Sequence, residues 1–131
     1  GDEFLRTKGG DSNSYESSYK VNELDYSLKV KNYSVFQNFQ KLIAFKQNTK
    51  ALQLDESGTS AYKVTKLGGG AAIQITFTEN GKQYKIIHAN GVVSNLTADF
   101  DGYTLYLDTV GDGTLSASTT ILPFQTIIAY K

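Results

Sequence analysis

Hydrophobic and polar positions change their period twice along this chain, and each change marks a different kind of structure. From Gly1 to Asn32 apolar residues are scattered among Ser, Asn, Asp and Lys in a long passage read as irregular. From Ser34 onward Val35, Phe36, Phe39, Leu42, Ile43 and Lys46 fall at the offsets of one helical face, which predicts an amphipathic helix running to about Asn48. Ser34 with Gln37 has the spacing of a capping box at its start. Beyond Leu54 the period shortens to two. Asp55-Glu56-Ser57-Gly58 reads as a linker turn, with a domain boundary near residue 55, and every later element is strand-like.

Within the strand-like part, Ala71 to Thr78 sets Ile73, Ile75 and Phe77 inward, and Asn80-Gly81 is a type I′ hairpin signal because both residues tolerate positive φ. Tyr84 to Ala89 returns as the partner strand, and Val92 to Leu96 predicts a short one. Asp101-Gly102 turns the chain, after which Tyr103, Leu105 and Leu107 alternate against Thr104, Tyr106 and Asp108. Gly111-Asp112-Gly113 closes another turn. Past Pro123, the residues Phe124, Thr126, Ile128 and Tyr130 alternate with Gln125, Ile127 and Ala129 in a last strand. The pattern predicts a mainly β chain, a Greek-key β-sandwich of about six to eight antiparallel strands, preceded by one amphipathic helix and an irregular segment.

The opening segment is the informative one. Gly1 to Phe4 would close a strand, and Arg6 to Asn32 is a long irregular passage of the kind that carries function or stays disordered. It is too polar and too rich in Gly, Ser and Asn to bury a core of its own, so an ordered shape is expected to depend on something outside it. Its order is specific: Gly1-Asp2-Glu3-Phe4-Leu5-Arg6-Thr7-Lys8, then Asp11-Ser12-Asn13-Ser14-Tyr15, then Val21-Asn22-Glu23-Leu24-Asp25-Tyr26, then the amphipathic helix and the β region.

That succession resembles the end of the catalytic barrel in type I pullulanases, debranching enzymes of the α-amylase superfamily. Three positions depart from the family pattern: Tyr26 stands where Trp is usual, Tyr19-Lys20 where an acidic residue is common, and Lys46 where the helix usually carries Arg. The likeness covers the first fifty or so residues and is only architectural beyond them. It implies that residues 1–54 are the last strand, substrate-side loop and last helix of a (β/α)8 barrel, and that residues 55–131 are a C-terminal β-sandwich. It also implies a parent enzyme that hydrolyses α-1,6 linkages in pullulan, starch or glycogen by a retaining double displacement. The nucleophile, the acid and a third carboxylate come from earlier barrel strands in that family, so the chain is expected to be inactive by itself. Its implied partners are an α-glucan, met through the parent enzyme, and the catalytic barrel of the same polypeptide. With no barrel alongside, part of the Phe36/Phe39 stripe is expected to be exposed.

Composition narrows the remaining classes. With 131 residues, 40% of them hydrophobic, 12 Gly and 1 Pro, the chain can hold one modest core built from strands and tight turns. Its 13 basic and 13 acidic residues are mixed and give a net charge of +0, which supplies no electrostatic stripe for nucleic acid or an anionic membrane. There is no Cys and a single His, so neither a disulfide framework nor a His/Cys zinc site is expected, and no cofactor is implied. No apolar run approaches the roughly 18 residues of a membrane span. Compartment stays open between cytoplasmic and secreted.

Candidate chemistry gathers in the opening loop. Glycoside hydrolysis with retention needs two carboxyl groups about 5–5.5 Å apart. Asp2 and Glu3 are neighbours at a strand end, expected to face opposite sides, and do not meet that need. Arg6, Asp11, Asn13 and Tyr15 are the expected substrate-binding residues, because loops after barrel strands sit at the catalytic face and polar groups with a flat aromatic suit sugars. Against this stand plain structural roles: Asn13 and Ser14 as turn formers, Arg6 paired with a nearby carboxylate, Tyr15 packed on a barrel rim. His88 reads as a hydrogen-bonded sheet residue, Gly68-Gly69-Gly70 as a loop, and Asp99, Asp101, Asp108 and Asp112 as turn residues rather than calcium ligands. Tyr62, Tyr84, Tyr103 and Tyr106 suit cross-strand packing better than a sugar platform, although a free-standing carbohydrate-binding or interaction module remains the alternative to an enzyme part.

Overall fold

The computed structural model describes residues 1–53 and 61–131, so the expected linker turn at Asp55–Gly58 and the boundary beside it lie outside the described residues. The chain forms two compact units, Gly1–Ala44 and Phe45–Lys131.

The second unit is antiparallel β. Its strands are β1 (Lys63–Leu67), β2 (Ala72–Glu79), β3 (Lys82–Ala89), β4 (Thr97–Ala98), β5 (Thr104–Asp108), β6 (Thr119–Thr120) and β7 (Thr126–Tyr130). Five of them form one sheet in the order β1-β2-β3-β7-β5, and β4 pairs with β6 in a second, two-stranded sheet. From β3 onward the chain alternates between the sheets, and β7 closes the large one by sliding between β3 and β5. That central place explains why Ile127, Ile128 and Ala129 are all buried: a strand flanked on both edges and covered on both faces reads as a continuous apolar run.

The β2–β3 hairpin follows from two residues. Asn80 and Gly81 take φ values of 52° and 74°, and Glu79 pairs with Lys82 across them, the two-residue loop whose twist matches that of the strands. One face of the large sheet presents Ala72, Ile87, Ala89, Ile127 and Ala129 to Phe100 and Ile121, and this cluster is the main core. Ile73, Ile75 and Phe77 share a face, as the alternation predicts, but it is the opposite one. There Phe77 stacks on Tyr84 with centroids 4.8 Å apart, and Phe45 packs on Tyr84 and Tyr106 at 5.9 and 5.1 Å. The sheet therefore has two apolar faces, and a period of two cannot say which meets the larger core.

Leu105 and Leu107 depart from the sequence expectation for a related reason. A bulge shifts the register between them, so Leu105 pairs with Ala129 and Leu107 with Ile128, residues that look to opposite faces. Leu105 joins the main core and Leu107 is buried on the other side. The strand expected over Val92–Leu96 is absent, and the chain enters the small sheet only at Thr97. Lys85 lies in the core-facing register of β3, where its ammonium donates to the Asp99 carbonyl and sits 4.6 Å from the Tyr103 ring centre. Burial pushes its pKa down, Asp99 raises it in part, and Lys131 lowers it again.

The first unit is built from turns and helices: 3-10 turns at Asp2–Phe4 and Ser14–Glu16, and α1 (Tyr19–Asn22), α2 (Ser27–Lys31) and α3 (Tyr33–Asn48), the last running on into the second unit. Gly1–Phe4 is not a strand. A strand needs a ladder partner; here the backbone closes on itself, with Phe4 N–H and Arg6 N–H both donating to Gly1 O. Nor does Ser34 cap α3, since it is the second residue inside the helix and the N–H groups of Val35 and Phe36 donate back to Asn32 O. On α3, Phe39 and Ile43 are exposed and Phe36 and Leu42 half-buried, Phe36 between Tyr33 and the Lys29 ammonium, so part of the stripe is exposed.

Candidate functional site

The four residues singled out in the opening loop turn out to play two kinds of part. Arg6 is an organiser. Its guanidinium donates to Val21 O at 3.1 Å, Asn22 O at 2.7 Å and Glu23 O at 3.2 Å, so one side chain gathers the carbonyls at the C-terminal end of α1. Those carbonyls have no intrahelical donors and carry partial negative charge, and a cation is the natural group to satisfy them. Backbone oxygens thus take the place of the carboxylate that the structural alternative gave Arg6.

Asp11 is also held by its own loop. Its carboxylate accepts from the Ser17 hydroxyl and from Asn13 N–H at 3.0 Å, an Asx turn extended by a second donor. The Ser17 hydroxyl first, then the Asn13 amide, holds the Asp11 carboxyl below its ordinary range. Asn13 and Tyr15 differ from these two. Asn13 is exposed on the turn that Asp11 closes, and Tyr15, in the middle of the 3-10 turn at Ser14–Glu16, leaves 90% of its surface open among the described residues.

Sequence reasoning passed over the residues that complete the loop. Lys8 donates to the Ser14 hydroxyl, and Asn22 Nδ2 donates to Ser14 O at 2.9 Å and Ser17 O at 3.2 Å. Asn32 Nδ2 reaches 28 residues back to Phe4 O at 3.0 Å, beside the buried Phe4 ring, which meets Tyr26 at 5.7 Å. The only sequence signal for this network was the density of Asn and Ser, whose short side chains bond to backbone. What results is a polar loop fixed from within that offers an amide side chain and a phenol outward. Such groups suit neutral, hydroxyl-rich ligands.

Other candidates take structural places. His88 Nδ1 lies 2.8 Å from Thr126 Oγ1 across the β3–β7 pair, a sheet contact. Asp108 accepts from Val110 and Gly111 N–H at 3.1 and 2.8 Å, Gly113 N–H at 3.2 Å and Gln125 Nε2 at 2.8 Å. Burial pushes its carboxyl up, but the bond from Gln125 and those from the three amides outweigh burial and hold it below the ordinary carboxylate range. Among the described residues no group of three His, Cys, Asp or Glu is placed to hold a metal ion, and no helix is long and apolar enough to cross a membrane.

No family model matches the chain, and no curated protein matches it. Solved structures do. The chain is similar to a mutant of MutB in complex with the substrate sucrose, with 17% identity over 86% of this chain and a TM-score of 0.59. A second MutB structure, an inactive double mutant with isomaltulose, gives 16% identity over 87% and a TM-score of 0.58. A mutant of trehalose-6-phosphate hydrolase from Bacillus licheniformis gives 13% identity over 86% and a TM-score of 0.55. In each case the chain spans 21% of the other protein's length. At such identities the likeness is one of fold.

Proposed function

We propose that this chain is the C-terminal part of a glycoside hydrolase of the α-amylase superfamily, and within it of the pullulanase type. The observation that carries the reading is a coincidence of order. The likeness to MutB and to trehalose-6-phosphate hydrolase runs over 86% of the chain, and so takes in both units. The first unit is also where Gly1-Asp2-Glu3-Phe4-Leu5-Arg6-Thr7-Lys8 and Val21-Asn22-Glu23 resemble the end of a debranching-enzyme barrel. MutB has sucrose as a substrate and the other neighbour is named for hydrolysing a trehalose phosphate, which favours glycoside chemistry over an interaction module.

In this reading residues 1–54 complete a catalytic barrel and residues 55–131 form the sandwich that stabilises and packs the enzyme. Retaining hydrolysis of an α-1,6 linkage needs a nucleophilic carboxylate and a carboxylic acid about 5–5.5 Å apart. The rest of the parent supplies both. This chain supplies the rim of the site: Arg6 and Asp11 lock the loop, and Asn13 and Tyr15 face the sugar, the amide toward its hydroxyls and the phenol ring toward its apolar face. Chromatography of products tests the whole. Pullulan is expected to be untouched by this chain and cut to maltotriose by the longer polypeptide that contains it. A longer polypeptide that hydrolyses other α-glucosides but leaves pullulan intact refutes the pullulanase type, and one with no glycosidase activity refutes the superfamily.

A further inference from the structure

Tyr15 can meet a ligand in one direction only if something fixes the main chain beneath it. With 90% of its surface open, the ring has no packing to steer it, so the turn that carries it sets where the phenol points. That turn, Ser14–Glu16, closes with the bond from Ser17 N–H to Ser14 O at 3.2 Å. A lone 3-10 turn is marginal in water, because its hydrogen-bond geometry is poor and one bond must offset the ordering of several residues. Its direction has to be fixed from outside.

Three side chains reach it. Lys8 donates to the Ser14 hydroxyl and Asp11 accepts from the Ser17 hydroxyl, so these two hold rotatable groups. Asn22 holds the backbone itself. Its Nδ2 donates to Ser14 O at 2.9 Å and to Ser17 O at 3.2 Å, one oxygen on each side of Tyr15 and Glu16. Ser14 O belongs to the peptide group that joins Ser14 to Tyr15, so the bond fixes the plane about which the Tyr15 main chain turns. With Ser17 N–H, it fills both acceptor positions of that oxygen. The result matches the exposure: Ser14 and Ser17 are half-buried, while Tyr15 and Glu16 between them are open.

Asn22 is anchored in its turn. It is the last residue of α1, and its own carbonyl accepts from the Arg6 guanidinium at 2.7 Å. The side chain and main chain of one residue thereby tie the Tyr15 turn to the Arg6 anchor. We propose that Asn22 is the positioning residue of this turn, its amide setting the direction in which the Tyr15 ring meets a hydroxyl-rich ligand. That the ligand is a sugar rests on the functional reading above; that Asn22 orders the turn does not.

Two measurements test this, with Asn22→Ala and Asn22→Asp as variants. The second is nearly isosteric, but it replaces the amide nitrogen by an oxygen that faces two carbonyls, so it keeps the shape and loses the donors. In 15N relaxation of this chain, the Tyr15 and Glu16 amides should have order parameters near about 0.85, falling below about 0.6 in both variants while the melt of the second unit stays in place. Low values in the unaltered chain, or high values kept by either variant, overturn the proposal. In the longer polypeptide, Asn22→Ala should raise KM for an α-glucan about 2- to 10-fold, and by more than it lowers kcat. Combined with Tyr15→Ala it should add nothing to the effect of Tyr15→Ala alone, whereas fully additive losses overturn the positioning role. A longer polypeptide with no glycosidase activity refutes the functional reading instead, and the relaxation data still decide whether Asn22 orders the turn.

Discussion

The two units of this chain are held together by different physics. In the second, a five-stranded sheet pairs every central strand on both edges and buries Ile87, Phe100, Ile127 and Ile128 almost completely. In the first, Phe4 is the single buried hydrophobic side chain, and order comes from Arg6, Asp11, Asn22 and Asn32 bonding to backbone and hydroxyl groups. Apolar burial contributes about 1.5–3 kcal/mol per large side chain, whereas an exposed hydrogen bond contributes about 0.5–1.5 kcal/mol against an ordering cost of about 1–2 kcal/mol per residue. The difference teaches that the second unit carries the stability and the first is shaped but weakly held.

The contrast breaks or sharpens on three measurements. Largest, Ile87→Ala should cost about 2–5 kcal/mol of unfolding free energy in denaturant, because the side chain is fully enclosed and leaves a cavity, while Phe39→Ala on the open stripe should stay within about 0.5 kcal/mol. Equal effects would erase the distinction between the units.

Next, Asp108→Asn should destabilise by about 1–3 kcal/mol near neutral pH, by removing the charge that four donors share. Its pKa is lower folded than unfolded, so the contribution is fully present above the unfolded carboxylate value of about 3.9 and is lost as pH falls through the folded one. Thermal melts of both proteins across the acid range should therefore converge as pH drops below about 4. A gap that persists would mean packing, not charge, holds that turn.

Smallest in global terms, Arg6→Ala should leave the cooperative melt of the second unit in place while hydrogen exchange quickens across residues 14–23, with local opening easier by about 1 kcal/mol. Unchanged exchange there would show that the loop does not rely on the guanidinium.

How legible all this was depended on range. Asn80-Gly81 announced its hairpin because two adjacent residues decide the turn, and the α3 stripe announced its helix because its apolar residues recur at the helical period. The loop's candidates were legible only as residue types: Arg6 reads as a substrate-binding residue or one paired with a carboxylate, and its carbonyl partners lie 15 to 17 positions away, beyond any local pattern. Ser34 looked like a cap for want of knowing that α3 starts one residue earlier.

By itself, the order of residues determined the Asn80-Gly81 turn, the long helix α3, the strands β2, β3, β5 and β7, and that the front and back parts obey different hydrophobic periods, since these follow from backbone preferences of a few neighbours. Tertiary structure alone decided which sheet face meets Phe100 and Ile121, that a bulge parts Leu105 from Leu107, and that Gly1–Phe4 coils instead of extending. Those outcomes rest on partners far along the chain, and a strand's face or even its existence is settled by what packs and pairs beside it.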